Sequence, residues 1–342
     1  MAVRVSASAA AEDSAPAKAG AELCVVHLAR HANGLDPFRS FLGSYVRHPA
    51  GIGHELAIVL KGFPDRQASE PYRRLAEDLC AHWLEVPDDG YDLGAYRRAA
   101  LALRHRRVVF LNSFSVIRAD RWLELLRSLA STPGTGAIGA SGSWGSQSSH
   151  ARYNVGLGGP YRPVFADPQS THRVFAGISP DTAPRSEASA SPDRGPKTKV
   201  GGAVAAARSV LQHTLAFPGF PSPHLRTNCI LIERELWLHV CDRVPAQKLD
   251  AHRFENGRRG LAVRLGHLGL GLLVAGCDGR SYGSSEWPAS RTFWQGDQEN
   301  LLVEDNQTRA YQEGDEEVRR VLAGYAWGPS AQPAVSAPAT VA

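Results

Sequence analysis

The chain has 342 residues, of which 43% are hydrophobic, so it can bury one large core or two small ones and is not a disordered or fibrous protein. Its 38 Lys and Arg and its 34 Asp and Glu leave a formal net charge of only +4, so no nucleic-acid partner is expected. None of the five cysteines forms a Cys-x-x-Cys pair, which argues against a disulfide framework or structural zinc and favours a cytoplasmic protein with reduced thiols.

Composition predicts one domain between two tails. Residues 1–20 and 329–342 are rich in small and polar residues and predict disordered tails. The domain between them, 21–328, contains a Pro- and Gly-rich stretch at 178–203 that predicts a flexible loop. No run reaches the ~18 apolar residues that a membrane helix needs, so at most a peripheral contact with the inner face of a membrane is expected.

Strand and helix patterns alternate through the first half of the domain. Short apolar runs predict buried strands, at 23–28, 56–60, 83–86, 108–111 and 137–140. Helices are predicted between them: Asp36-Pro37 is a strong helix start, and a second helix is expected from about 71 to 81. This alternation predicts an α/β, Rossmann-like fold with a mostly parallel sheet and helices on both faces.

The second half, 204–328, is less regular. Strands are predicted at 228–232 and 272–274. Helices are predicted at about 233–240, 254–270 and 316–323. These elements are expected to extend the same sheet, so that the chain forms a single domain.

Polar residues that directly follow the predicted strands are candidates for a nucleotide site, because ligands of parallel sheets bind at the carboxyl ends of the strands. These residues are Arg30, Asn33, Lys61, Asp65, Asp92, Asn112 and Ser113, together with Asp88 and Asp89. Their cations and amides suit a nucleoside diphosphate. The alternative is that the aspartates only form turns and helix caps, where Asp is common.

Common fingerprints of other nucleotide and hydrolase sites are absent. Residues 29–34, after the first strand, contain no G-x-G-x-x-G, and the chain has no Walker lysine motif and no nucleophile elbow. The commonest dehydrogenase, P-loop and α/β-hydrolase functions are therefore excluded.

The run from 23 to 138 resembles the nucleotide-binding half of family-two-like bacterial glycosyltransferases with the GT-A fold. The similarity rests on the strand at 25–28 with the Asp36-Pro37 helix behind it, the strand at 56–60, the turn and helix at 89–96, and the segment at 108–113. The resemblance implies a GT-A-like domain with the nucleotide-sugar site at 23–150 and an irregular acceptor-side half at 204–328. It also implies a nucleotide-sugar donor and a glycan or lipid-linked acceptor.

One departure from the resembled family concerns the metal. There the fourth strand ends in an Asp-x-Asp motif, which binds a divalent ion such as Mn²⁺ or Mg²⁺. Here that place holds Asn112, Ser113 and Phe114, without a carboxylate. Because Asn adds no negative charge, weak or absent metal dependence is expected, and no metal ligands are assigned.

The second half is similar to acceptor-side pieces of the same enzymes, at 224–232, 254–258, 276–282 and 304–308. Glu255 occupies a place where inverting members keep a catalytic carboxylate, which implies a general base, and Asp305 is the rival base. The alternatives are that Glu255 is an ordinary helix carboxylate and that Asp305 is a turn residue.

Two functions follow from these features. The first is an inverting hexosyltransferase-like glycosyltransferase in surface polysaccharide synthesis. The second is a non-catalytic nucleotide-sugar or carbohydrate-binding protein on the same fold, which the missing Asp-x-Asp motif keeps open.

Overall fold

The computed structural model describes residues 4–6, 22–79, 81–157, 159–161, 171, 173–175 and 199–333. The strands within these ranges are β1 Arg4–Ser6, β2 Leu23–Arg30, β3 Glu55–Lys61, β4 His82–Val86, β5 Arg107–Leu111, β6 Val116–Ile117, β7 Thr135–Gly139, β8 Gly142–Ser143, β9 His224–Leu225, β10 Cys229–Glu233, β11 Gly271–Ala275, β12 Ser281–Gly283 and β13 Val303–Glu304. The α-helices are α1 Asp36–Arg47, α2 Arg66–Leu75, α3 Tyr91–Ala102, α4 Trp122–Leu129, α5 Gln147–Asn154, α6 Lys199–Ala216, α7 Arg234–Val240, α8 Lys248–Asn256, α9 Leu261–His267, α10 Trp287–Ser290, α11 Asn306–Gln312 and α12 Glu316–Trp327.

One large sheet organises the domain. Nine of the described strands form it in the order β1-β4-β3-β2-β5-β10-β7-β11-β12. The strands β4, β3, β2 and β5 are parallel to one another, and β11 is parallel to β7. The predicted α/β fold with a mostly parallel sheet is therefore confirmed at the centre of the molecule.

Helices cover both faces because the central strands are apolar on both sides. In β2, Val26 points into a core shared with α3, α7 and α9, whereas Val25 points into a second core shared with α1, α2 and α4. Both valines have no exposed surface. The continuous apolar run that predicted a buried strand thus reflects packing on two faces.

The strand β10 comes from the second half of the chain but lies inside the first-half sheet. It is antiparallel to both β5 and β7 and separates them. The apolar run at 228–232 predicted a strand of the same sheet, but its antiparallel direction was not predicted. The strand is buried, since Ile230, Leu231 and Ile232 are each at most 2% exposed.

Two predicted helices begin or end elsewhere. The helix α2 starts at Arg66 rather than near residue 71, because the Asp65 side chain accepts a hydrogen bond from the Ala68 N–H and caps it. The predicted helix at 254–270 is two helices, α8 and α9, which part at Gly257. A Cβ at Gly257 would stand 2.8 Å from the Arg253 Cα, so this sharp break requires glycine.

The predicted tails and loop lie largely outside the described residues. Of the first tail only β1 is described, and it pairs antiparallel with β4. Of the loop at 178–203, the described part is 199–203, where α6 begins. Within the described part of the chain, none of the helices combines the length and apolar character needed to span a membrane.

Candidate functional site

Arg30, Lys61 and Asp88 meet at the carboxyl ends of three neighbouring strands. Arg30 and Lys61 lie side by side in the register of β2 and β3, and Lys61 pairs with Val86 in β4. The Arg30 Nε and Nη2 donate to Asp88 Oδ1 and Oδ2 at 2.8 and 2.9 Å. The Lys61 Nζ lies 3.8 Å from Asp88 Oδ1 and donates to the Tyr91 carbonyl at 2.6 Å.

Lys61 and Asp92 are partly desolvated groups of opposite charge that act on each other electrostatically. Lys61 is only 2% exposed, and burial lowers its pKa while the negative charges of Asp92 and Asp88 oppose that change. Burial raises the pKa of Asp92, against the positive charges of Lys61 and Arg30. The structure therefore brings together three of the predicted nucleotide-site residues, Arg30, Lys61 and Asp92.

Asn112 lies at the end of the next strand, β5. Leu111 pairs with His27, so the next residue, Asn112, lies opposite Leu28, which is two residues before Arg30. This register puts the Cα atoms of Asn112 and Arg30 about 8 Å apart. The Asn112 Oδ1 accepts from the Phe114 N–H and the Ser115 hydroxyl, both at 3.0 Å, and its Nδ2 donates to Asp305 Oδ2 at 3.4 Å.

Asp305, predicted as the rival base, is 3% exposed and caps α11. Its Oδ1 accepts from the N–H groups of Gln307 and Thr308 at 3.0 Å each. Its backbone N–H donates to the Thr308 hydroxyl at 2.7 Å, which completes a capping box. The helix cap therefore holds one carboxylate oxygen, and the other faces Asn112.

Glu255 lies in the last turn of α8. Burial raises its pKa to about 7, the positive charge of Arg226 opposes this, and the negative charge of Asp92 adds to it. Its side chain also lines a cavity of about 320 Å³ together with Pro221 and Asn256. A carboxyl group with this pKa exchanges a proton near neutral pH, as a general base must.

Tyr96 connects these groups. It lies on α3 with no exposed surface, and its hydroxyl donates to the Thr227 carbonyl at 3.2 Å. Burial raises its pKa well above the usual value, and the charges of Asp92, Glu255 and Asp305 act in the same direction. The charges of three carboxylates that the sequence singled out therefore act on one buried tyrosine.

Arg226 was not predicted as a site residue, although its segment was assigned to the acceptor side. It is half-buried, donates to Gln307 Oε1 and lies over the Phe293 ring at 5.2 Å. Its Nε is buried without a hydrogen-bond partner among the described residues. No local sequence signal marks it, because its surroundings come from Gln307 and Phe293, which lie far along the chain.

The remaining predicted residues have more ordinary surroundings. Asn33 is half-buried in a single 3₁₀ turn after β2. Asp65 caps α2 at the surface, and Asp89 forms an ion pair with Arg98 at 2.7 Å. Ser113 is 6% exposed beside Asn112.

The donor atoms at the end of β5 do not fit a divalent ion. Within the described ranges, no three His, Cys, Asp or Glu side chains gather in a way that could hold a metal. The oxygens of Asn112 and Asp305 that could serve as ligands already accept hydrogen bonds from a turn and a helix start. A metal here would need these two segments to rearrange.

No family model and no curated protein matches the sequence. Solved structures of other proteins are similar to it at low identity. A mannosyltransferase from Pyrobaculum calidifontis in complex with GDP-Man and Mn²⁺ matches 68% of this chain and 49% of its own, with a TM-score of 0.35 and 13% identity.

Two further structures match about a third of this chain. S. aureus TarS 1-349 in complex with UDP-GlcNAc matches 34% of this chain and 33% of its own, with a TM-score of 0.27 and 15% identity. GalNAc-T7 with UDP, GalNAc and Mn²⁺ matches 36% and 23%, with a TM-score of 0.29 and 12% identity. This chain spans about half of the mannosyltransferase and a third or less of the other two proteins.

Proposed function

We propose that this protein is an inverting glycosyltransferase that moves a sugar from a nucleotide-sugar donor to a hydroxyl of a glycan or lipid-linked acceptor. The observation that carries the proposal is Glu255, a carboxyl group whose pKa burial raises to about 7 and which lines a cavity of about 320 Å³. A cytoplasmic role in surface polysaccharide synthesis, with peripheral membrane contact, is part of the same proposal.

In the proposed reaction Glu255 takes the proton of the acceptor hydroxyl. The acceptor oxygen forms a bond to the anomeric carbon as the bond from that carbon to the diphosphate oxygen breaks. The leaving diphosphate keeps the electron pair and needs positive charge nearby. The product is a glycoside of inverted configuration and a nucleoside diphosphate.

Arg226 is the best candidate for that positive charge. Arg30 is held in a bidentate pair with Asp88, and Lys61 is held by the Tyr91 carbonyl. The Arg226 Nε–H, in contrast, is buried with no acceptor in the described residues. A diphosphate oxygen would satisfy it, and Arg30 and Lys61 would then contribute mainly long-range attraction to the donor.

The test begins with a panel of UDP-, GDP- and dTDP-sugars, incubated with purified protein while release of the nucleoside diphosphate is measured. Glu255→Gln should lower turnover by about 10²- to 10⁴-fold, because a general base contributes that much, and should leave donor affinity nearly unchanged. Wild-type turnover should rise as the pH passes through about 7, where Glu255 loses its proton.

Two variants control this experiment. Glu313→Gln changes an exposed carboxylate at the end of α11 and should have no effect. Asp305→Asn tests the rival base. A Glu255→Gln enzyme that keeps more than about a tenth of wild-type turnover would exclude Glu255 as the base.

The second candidate is a non-catalytic protein that binds a nucleotide sugar. It is favoured by Asn112, whose side chain is engaged within the protein where a carboxylate pair would be needed to hold a metal. Donor binding in a thermal-shift assay without release of nucleoside diphosphate from any donor would support this candidate over the transferase.

A further inference from the structure

A second and larger cavity lies on the other side of α8. It has a volume of about 750 Å³ and is bounded by the end of α6, the segment after α7, and the junction of α8 and α9. Phe254 lines it, whereas Glu255 is one residue further along the helix and therefore points about 100° away. This cavity is thus separate from the proposed transfer site.

Positive charge dominates the lining. Five arginines contribute to it: Arg243, Arg253, Arg258, Arg259 and Arg264. Two aspartates offset part of this charge, since Arg264 pairs with Asp242 at 2.9 Å and Arg253 pairs with Asp250 at 3.3 Å. The other three arginines form no ion pair with a described residue, although the positive charge of Arg243 helps to lower the pKa of Asp242.

Two of these arginines are available for a ligand. The Arg258 Nε donates to the Thr214 carbonyl at 3.3 Å and so attaches the end of α6 to the cavity. The guanidinium groups of Arg243 and Arg259 are exposed and have neither an ion pair nor a hydrogen bond with any described residue. An anion at the cavity mouth would meet both groups.

Exposed leucines stand beside this charge. Leu211 and Leu215 are one turn apart on α6 and are 59% and 69% exposed, and Leu215 also lines the cavity. Arg208, one turn before Leu211, is exposed as well. Apolar side chains next to unpaired arginines are typical of surfaces that sit at the boundary between lipid headgroups and acyl chains.

We propose that this arginine cavity and the two leucines form a docking surface for an anionic membrane. The unpaired guanidinium groups bind phosphate headgroups, and Leu211 and Leu215 enter the acyl boundary. A free phosphate would satisfy the arginines but would leave both leucines in water, so the combination favours a lipid surface. The surface rests on the peripheral membrane contact of the proposed function, and it is distinct from the proposed transfer site because Glu255 lines a different cavity.

Vesicle sedimentation with the full chain tests the proposal. The protein should sediment with phosphatidylcholine vesicles that contain a quarter phosphatidylglycerol, and not with phosphatidylcholine alone. Binding should fall as salt is added, because exposed charges are screened. Sedimentation with neither vesicle, or equal sedimentation with both, would overturn the proposal, and so would displacement from the anionic vesicles by millimolar inorganic phosphate.

Variants separate the two parts of the surface. Replacing both Arg243 and Arg259 by Ala should weaken binding to anionic vesicles by about 30-fold, from the contribution typical of a basic residue near such a surface. Replacing both Leu211 and Leu215 by Ser should weaken it at least about tenfold through lost apolar burial. The melting temperature of each variant shows that the fold is intact.

The matched controls lie elsewhere on the molecule. Arg66→Ala on α2 and Leu101→Ser on α3 change an exposed arginine and a leucine that is 55% exposed. Both should bind like the wild type. Wild-type binding by both double variants, or an equal loss in the controls, contradicts the assignment.

Discussion

His27 is a titratable side chain in the middle of β2 with no exposed surface. Its ring stacks on Phe41 with the centroids 3.7 Å apart, and neither ring nitrogen has a hydrogen-bond partner among the described residues. Burial lowers its pKa from 6.5 to about 3. The folded protein therefore holds this imidazole neutral, in an apolar core.

This burial makes the stability of the fold sensitive to acid. The unfolded chain binds a proton at His27 near pH 6.5, whereas the folded chain binds it only near pH 3, so stability is lost as the pH falls below about 6.5. At pH 5 the loss from this group is about 2 kcal/mol. His27→Leu should remove this loss. The free energy of unfolding of the variant should therefore rise relative to that of the wild type as the pH falls from 8 to 5.

Urea unfolding at the two pH values measures this gain. His267→Leu is the control, because that histidine is exposed at the end of α9. If the wild type and His27→Leu lose the same stability between pH 8 and pH 5, the neutral state of His27 is not what makes the fold acid-sensitive.

Glu255 shows how much of the site could be predicted from residues alone. Its position in a segment similar to acceptor-side pieces was visible in the sequence. The positive charge that opposes the effect of burial on its pKa belongs to Arg226, which lies in a different segment. Contacts between residues distant in sequence depend on the whole fold, so no local pattern could identify Arg226.

At the scale of elements, the turn between β4 and α3 is the most constrained part of the candidate site. Gly90 adopts a φ of 67° at the start of α3, between Asp88 in the preceding turn and Asp92 in the first turn of the helix. A Cβ there would overlap the Val244 side chain and stand 2.9 Å from the Gly94 Cα. Both the left-handed backbone and the close approach therefore require glycine.

Gly90→Ala should destabilise the protein by more than the strain of a positive φ alone. Gly34→Ala is a matched control, because Gly34 has a φ of 74° but nothing within 4 Å of its Cβ position. The control should cost about 1 kcal/mol, and Gly90→Ala about 1–3 kcal/mol more, from overpacking. Urea unfolding of the two variants gives the difference in their free energies of unfolding. Equal losses in both would mean that the groups around residue 90 move aside at little cost.

The sequence predicted the central strands well and their neighbours less well. Runs such as those of β2 and β5 are apolar throughout because helices cover both faces, and that property is local to each strand. The pairing of β10 between β5 and β7 depends on which edges are free after the chain has folded back. The break at Gly257 falls in the polar run 255–260, whose two glycines are the local signal of an interruption.

Across the chain, the proposed donor site draws its positive charge from different segments. Arg30, Lys61 and Arg226 are its proposed cations, and the end of β5 offers Asn112 where the resembled family has carboxylates. We therefore expect that a chelator such as EDTA lowers turnover of the donor found in the panel by less than about tenfold, since a metal that carried the leaving-group charge would contribute several kcal/mol.

Adding Mn²⁺ or Mg²⁺ after the chelator shows whether any turnover lost with the chelator is regained. Complete loss with chelator and full rescue by manganese would contradict this expectation, and Asp88, Asp89 and Asp305 would then be the first residues to test as ligands. Donor binding in the same buffers shows whether the metal acts on affinity or on turnover.

The position of β10 also fixes an order of events during synthesis. Within the described sheet β7 has only β10 and β11 as neighbours, and both lie about 90 residues or more further along the chain. A nascent chain that has emerged from the ribosome as far as β7 therefore exposes three unpaired strand edges, one of β5 and both of β7. The sheet closes only once the residues up to Glu233 have left the exit tunnel, so a ribosomal pause between β7 and β10 would prolong the interval in which this protein can aggregate.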